Sequence, residues 1–80
     1  MARIELRLYA GLHQRVREAE AGAIRVLAVK EGITLAELLE SLAIPREAVA
    51  ISFVNGLARP LDHALREGDR VGLFPPVGGG

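Results

Sequence analysis

Gly32-Ile33-Thr34-Leu35-Ala36-Glu37-Leu38-Leu39-Glu40-Ser41-Leu42 is the stretch on which the reading of this chain turns. Thr34 followed three residues later by Glu37 has the spacing of a capping box, and Ile33 with Leu38 occupies the two positions of a hydrophobic staple, so the pattern predicts a helix that starts at Thr34. Leu35, Leu38, Leu39 and Leu42 recur at i, i+3, i+4 and i+7 and form one apolar face. Ordering about ten backbone residues costs more than burying four leucines returns, so a helix this short does not stand alone. It needs a sheet to cover. Pro45 stops it, with a further turn expected over residues 45–48.

The residues on either side supply that sheet. Residues 3–9 alternate, with Ile4, Leu6 and Leu8 on one side and Arg3, Glu5, Arg7 and Tyr9 on the other, as in a half-buried strand. Residues 24–29 read as a second strand with Leu27 and Val29 inward, although Val26 leaves its register open, and the first strand is its expected partner. Between them, residues 10–22 carry Leu12, Val16 and Ala19 at helical spacing but are bracketed by Gly11 and Gly22, which reads as a loop or short surface helix. After the helix, residues 50–54 form a third strand. Asn55-Gly56 is a two-residue hairpin signal, because both turn positions tolerate positive φ. Residues 57–59 make a short return strand stopped by Pro60. Residues 61–67 form a connection that tucks Leu61 and Leu65 under the sheet. Gly68-Asp69 then turns the chain into a last strand over residues 70–74, with Val71 and Leu73 inward against Gly72 and Phe74.

Composition removes several classes of function. Eighty residues, half of them hydrophobic, make one small α+β domain with a core that needs no covalent staple. The chain has no cysteine, which excludes disulfides, thiolate catalysis and Cys-based metal sites. Ten basic and ten acidic residues cancel and are scattered, so no field favours nucleic acid or an anionic membrane. Tyr9, Phe53 and Phe74 are the only aromatic residues, too few for a stacking platform. Without an apolar run of membrane-spanning length or a signal-peptide core after Met1, the expected location is the cytoplasm.

Side-chain chemistry is equally sparse. His13 and His63 are far apart in sequence and lack Cys or clustered carboxylates nearby, so no metal site is expected. Glu37 and Glu40 sit at solvent-facing helix positions, and Glu37 already has a capping role. Ser41 lies in a helix without a Gly-rich elbow, and Gly78-Gly79-Gly80 has no following helix or lysine to cradle phosphate. Nothing here catalyses by itself.

The end of the chain is different. Pro75 and Pro76 offer no N–H and fix two φ angles, so the last strand stops there. Val77, Gly78, Gly79 and Gly80 can extend at most roughly 13 Å beyond it. Three residues without Cβ present a carboxylate on bare backbone, a shape suited to capture of a C-terminal carboxylate by another protein. A domain over residues 1–76 would carry a flexible tail over residues 77–80.

With Asn55-Gly56, Gly68-Asp69-Arg70-Val71 and residues 74–80 in this order, and the expected helix over residues 34–42, the chain resembles the MoaD/ThiS-type sulfur-carrier family of ubiquitin-like proteins. That family includes the molybdopterin synthase small subunit and the thiamine-pathway carrier. Two strands, a helix, a hairpin and a final strand follow the order of the β-grasp fold, a mixed sheet of four to five strands on one main helix. The resemblance puts the last strand beside the first. It also implies that Gly80, with Gly79 beside it, is converted by an E1-like adenylating enzyme using MgATP to an acyl-adenylate and then to a thiocarboxylate, no cofactor being bound by the chain itself. The thiocarboxylate would donate sulfur in the active site of the molybdopterin synthase large subunit. Val77 with Pro75 and Pro76 would set the depth and direction of entry, and Phe74 and Gly78 are also expected to bind the partner. Tyr9 and Phe74, with Leu57 or Ala58, are the expected partner-binding patch at the tail root. Phe74-Pro75-Pro76 is most like the molybdopterin synthase subunit, whereas the ending Val77-Gly78-Gly79-Gly80 resembles thiamine-pathway carriers, whose acceptor would be a thiazole synthase. A ubiquitin-like modifier joined to lysines through Gly80, and a noncovalent binding module, are the alternatives of other classes.

Overall fold

The computed structural model describes residues 1–9 and 24–76. Five strands form one mixed sheet: β1 (Ala2–Leu8), β2 (Ile24–Val29), β3 (Ile51–Val54), β4 (Leu57–Ala58) and β5 (Arg70–Phe74), in the order β2-β1-β5-β3-β4. The one α-helix among the described residues, α1 (Leu35–Ser41), and a 3-10 turn at Arg46–Ala48 lie between β2 and β3 in sequence. This is the expected β-grasp arrangement. β5 runs parallel to β1 and antiparallel to β3, so the last strand in sequence is the middle strand of the sheet. The expected segment over residues 10–22 falls outside the described residues.

Alternation decides the two faces of the sheet. Ile4, Leu6 and Leu8 of β1, Val29 of β2, Val54 of β3 and Val71 and Leu73 of β5 are buried together with Leu35, Leu38 and Leu39 of α1. Leu27 packs partly buried against this cluster, which settles the register of β2 and leaves Ile24 and Val26 on the exposed face.

The helix begins and ends through local hydrogen bonds. Thr34 is extended at φ −85° and ψ 163° and caps α1 with a reciprocal box: Glu37 N–H donates to Thr34 Oγ1 at 3.1 Å, and Thr34 N–H donates to Glu37 Oε1 at 2.9 Å. The next two N–H groups of the first turn find partners from far along the chain, Leu35 N–H on the His63 carbonyl at 3.0 Å and Ala36 N–H on that of Leu61 at 2.8 Å. Leu65, almost fully buried, is held by its N–H on the Ile33 carbonyl at 2.7 Å. The connection over residues 61–65 thus both fills the core and completes the helix start. At the other end Ala43 adopts φ 58°, Ala43 N–H reaches Glu40 O at 3.1 Å and Ile44 N–H reaches Leu39 O at 2.9 Å, a Schellman termination two residues before Pro45.

Two ties fix where β5 starts. Gly68 N–H donates to Arg3 O at 2.7 Å and Glu5 N–H to Asp69 O at 2.9 Å, so the turn before β5 is bound to β1. Asn55 in the β3–β4 turn binds the same place from the other side: its Nδ2 donates to Asp69 Oδ1 at 2.9 Å, and its Oδ1 accepts from Arg70 N–H at 3.0 Å.

Candidate functional site

The C-terminal end of β5 carries Phe74, and two other aromatic residues converge on it. Tyr9, just past β1, donates its N–H to Leu73 O at 3.1 Å and lays its ring parallel to that of Phe74, with centroids 4.2 Å apart and planes 4° apart. Phe53 of β3 meets Phe74 edge-on, at 5.5 Å and 81°. Such pairs are energetically favourable beyond their buried area. All three rings lie on the face of the sheet opposite the core, because Phe53 and Phe74 alternate with buried Ser52 and Val54 and with Val71 and Leu73.

A groove of about 460 Å³ runs along this face, with Arg7, Tyr9, Phe53, Arg70, Gly72 and Phe74 among its walls. Its polar groups are mainly cationic. Arg70 Nε lies 3.6 Å from Glu5 Oε2, an exposed pair of little energetic weight. Arg7 Nη1 lies 3.4 Å from Tyr9 Oη, and Arg7 Nε is buried without a hydrogen-bond partner among the described residues. Gly72 stands in the centre, paired with Arg7 on one side and Phe53 on the other.

Tyr9 and Phe74, placed in one patch from the sequence, are therefore in contact, with Pro75 half-buried and Pro76 exposed beyond them. Leu57 and Ala58 are divided by the pairing of β4: Leu57 sits opposite Val54, on the core side of the sheet, and Ala58 opposite Phe53, on the aromatic side. Leu57 is 57% exposed and lines a different groove with His63, Arg66 and Asp69, so it is not part of the patch around Phe74. Val77, Gly78, Gly79 and Gly80 lie outside the described residues. Phe53 and Ile51 join the aromatic face without having been singled out from the sequence. The alternation of residues 51–54 places them opposite Ser52 and Val54, but only the pairing of β3 with β5 brings them to Phe74.

The residues weighed for other chemistry are accounted for locally. Ser41 Oγ donates to Leu38 O at 2.7 Å, and the Glu37 carboxylate is taken up by the helix cap. The backbone N–H of Thr34, then its hydroxyl, hold the Glu37 carboxyl below its ordinary range. His63 is half-buried in the connection over residues 61–65, and His13 lies outside the described residues. Among the described residues no three His, Cys, Asp or Glu side chains are grouped to hold a metal ion, and no helix is long and apolar enough to cross a membrane.

The family model of the ThiS family matches residues 12–80. SAMP1 from Haloferax volcanii is similar at 25% identity and a TM-score of 0.72, over 99% of this chain and 100% of that one. A Pyrococcus furiosus protein assigned as molybdopterin converting factor, subunit 1, superimposes with a TM-score of 0.73 at 22% identity, over 96% of this chain and 100% of that one. The HVO 2177 protein of Haloferax volcanii superimposes with a TM-score of 0.74 at 24% identity, over 99% and 87% of the two chains. No curated protein matches the sequence.

Proposed function

Because the chain belongs to the ThiS family, we propose that it is a sulfur carrier whose reactive group is the carboxylate of Gly80. A carboxylate is a poor electrophile at neutral pH, since its charge is delocalised and oxide is a bad leaving group. An E1-like enzyme would join it to AMP from MgATP, releasing pyrophosphate. Sulfide from a donor then attacks the acyl carbon, the C–S bond forms, the C–O bond to AMP breaks, and a thiocarboxylate, AMP and a proton result. Covalent activation of this kind divides one difficult step into two easier ones. Gly78, Gly79 and Gly80 let the acyl carbon approach an enclosed partner site without side-chain clash.

The observation that carries this reading is the position of β5. A strand held on both sides by β1 and β3, ending in a stacked Phe74 and followed by Pro75 and Pro76, makes a rigid mount for the residues after it, and the family match runs through those residues to Gly80. Phe74-Pro75-Pro76 favours molybdopterin biosynthesis, with the large subunit of the synthase as acceptor, over the thiamine pathway with its thiazole synthase. In either case the adenylating enzyme and the acceptor supply the catalysis.

The test is intact mass. Incubation with the activating enzyme, MgATP and sulfide should add about 16 Da, sulfur replacing oxygen at the terminal carboxylate. An unchanged mass under conditions that consume ATP counts against the reading. The likeness to SAMP1, a small archaeal modifier protein, favours a second reading in which Gly80 is joined to lysines of other proteins. Species of higher mass linked through an isopeptide bond would establish that outcome instead.

A further inference from the structure

We propose that Gly72 and Tyr9 are positioning residues: the bare α-carbon of Gly72 is the seat for the Tyr9 ring, and the seated ring aims Phe74 and so the direction in which the chain leaves the sheet. For its effect on sulfur transfer this rests on the carrier reading above; the geometry is independent of it.

A Cβ added at Gly72 would stand 3.4 Å from Tyr9 Cε2 and 3.9 Å from Phe74 Cε1. A methyl group would just fit, whereas a branched side chain would take the volume that the ring fills. Glycine inside a strand often marks a close approach by another group, and here the approaching group is an aromatic face. The ring is drawn to that spot by three contacts: the Tyr9 N–H on Leu73 O at 3.1 Å, parallel stacking on Phe74 at 4.2 Å, and the Arg7 guanidinium 3.4 Å from its hydroxyl.

Phe74 is then held from every side that matters to direction. Tyr9 covers one face of its ring, the Phe53 edge pair meets it from the neighbouring strand, and its carbonyl accepts Ala50 N–H at 2.8 Å. The next two residues are prolines of restricted φ. A shift of the Tyr9 ring therefore moves the base of the terminal segment, and does so without touching the core, which lies across the sheet at Val71 and Leu73.

Four variants test this with the activating enzyme, MgATP and sulfide: Gly72→Ala, Gly72→Val, Tyr9→Ala and Tyr9→Phe. Misplacing a reacting group by about 1 Å can cost a hundredfold in rate, so Gly72→Val and Tyr9→Ala should lower kcat for thiocarboxylate formation by about tenfold or more at nearly constant KM. Gly72→Ala should lose far less, and Tyr9→Phe should rescue the loss seen in Tyr9→Ala. Proton NMR reports the seat itself: the Gly72 α-protons should be shifted upfield by the ring in the unmodified protein and return in Tyr9→Ala, which adds no bulk that could prevent folding. A higher KM with unchanged kcat would mean that Tyr9 only touches the partner, and would overturn the proposal. So would full kcat in a variant whose ring shift has gone. Should the unmodified protein accept no sulfur, the carrier reading falls, and residual dipolar couplings from Phe74 to Val77 decide the present one: altered orientation in Gly72→Val supports it, and identical couplings refute it.

Discussion

Asn55 shows how much a single residue can do beyond its local conformation. At φ 54° it occupies the left-handed region, as does Gly56 at φ 83°, and together they make the hairpin turn that the pair predicts. The side chain adds what turn geometry does not contain, two hydrogen bonds that bind this turn to Asp69 and Arg70 at the start of β5. Asn55→Ala loses both bonds and keeps the left-handed strain, and should lower stability by about 1–3 kcal/mol in urea unfolding. Asn55→Gly should recover the backbone part only. Equal stabilities of the alanine variant and the unmodified protein would mean that the two turns are not coupled. The turn was legible in the sequence because it needs only adjacent residues. Its bond to a position fourteen residues away was not.

Among the elements, α1 is held by its two ends as much as by its apolar face. Its pH dependence follows from the cap. The Thr34 N–H and hydroxyl, with Lys30 adding a smaller attraction, keep the Glu37 carboxyl below its ordinary value of 4.5, so the folded state binds this proton less readily than the unfolded chain. The contribution is therefore present above that value and is lost as pH falls through the lower folded one. Glu37→Gln, which accepts the same N–H without titrating, should show a flatter loss of Tm between pH 5 and pH 3, a comparison on about the scale of carboxylate titration. Identical acid profiles would remove Glu37 from the account. At the opposite end Ala43 holds a left-handed φ of 58° where helices usually place glycine. Ala43→Gly should raise stability by about 0.5–1 kcal/mol, the relief of strain being offset in part by the entropy of glycine. Chemical unfolding with an unchanged midpoint would contradict it. The start of α1 could be read from Thr34, Ile33, Glu37 and Leu38, whereas the Schellman turn had no glycine to announce it.

For the molecule as a whole, the carrier function proposed above would make stability and reactivity separate. Leu38 is 0% exposed at the centre of the core, and Leu38→Ala should cost about 2–5 kcal/mol by calorimetry or denaturant, with any loss of sulfur acceptance following unfolding. Removing Gly80 should do the reverse, abolishing the gain in mass while changing the unfolding free energy by no more than about 0.5 kcal/mol. A large loss of stability on that deletion would refute a purely chemical role for the terminus. Amino-acid order alone determined where the described strands and helix lie and which residues of β1 and β5 face inward, because periods of two and 3.6 and the capping residues act between near neighbours in the chain. It reached only the pairs that are neighbours in sequence, β1 with β2 and β3 with β4, and the place of β5 beside β1 came from resemblance. Only the folded sheet brought Tyr9, Phe53 and Phe74 together over Gly72 and sent Leu57 to the other side, since strand pairing and its register are settled by hydrogen bonds and core packing between segments remote in sequence.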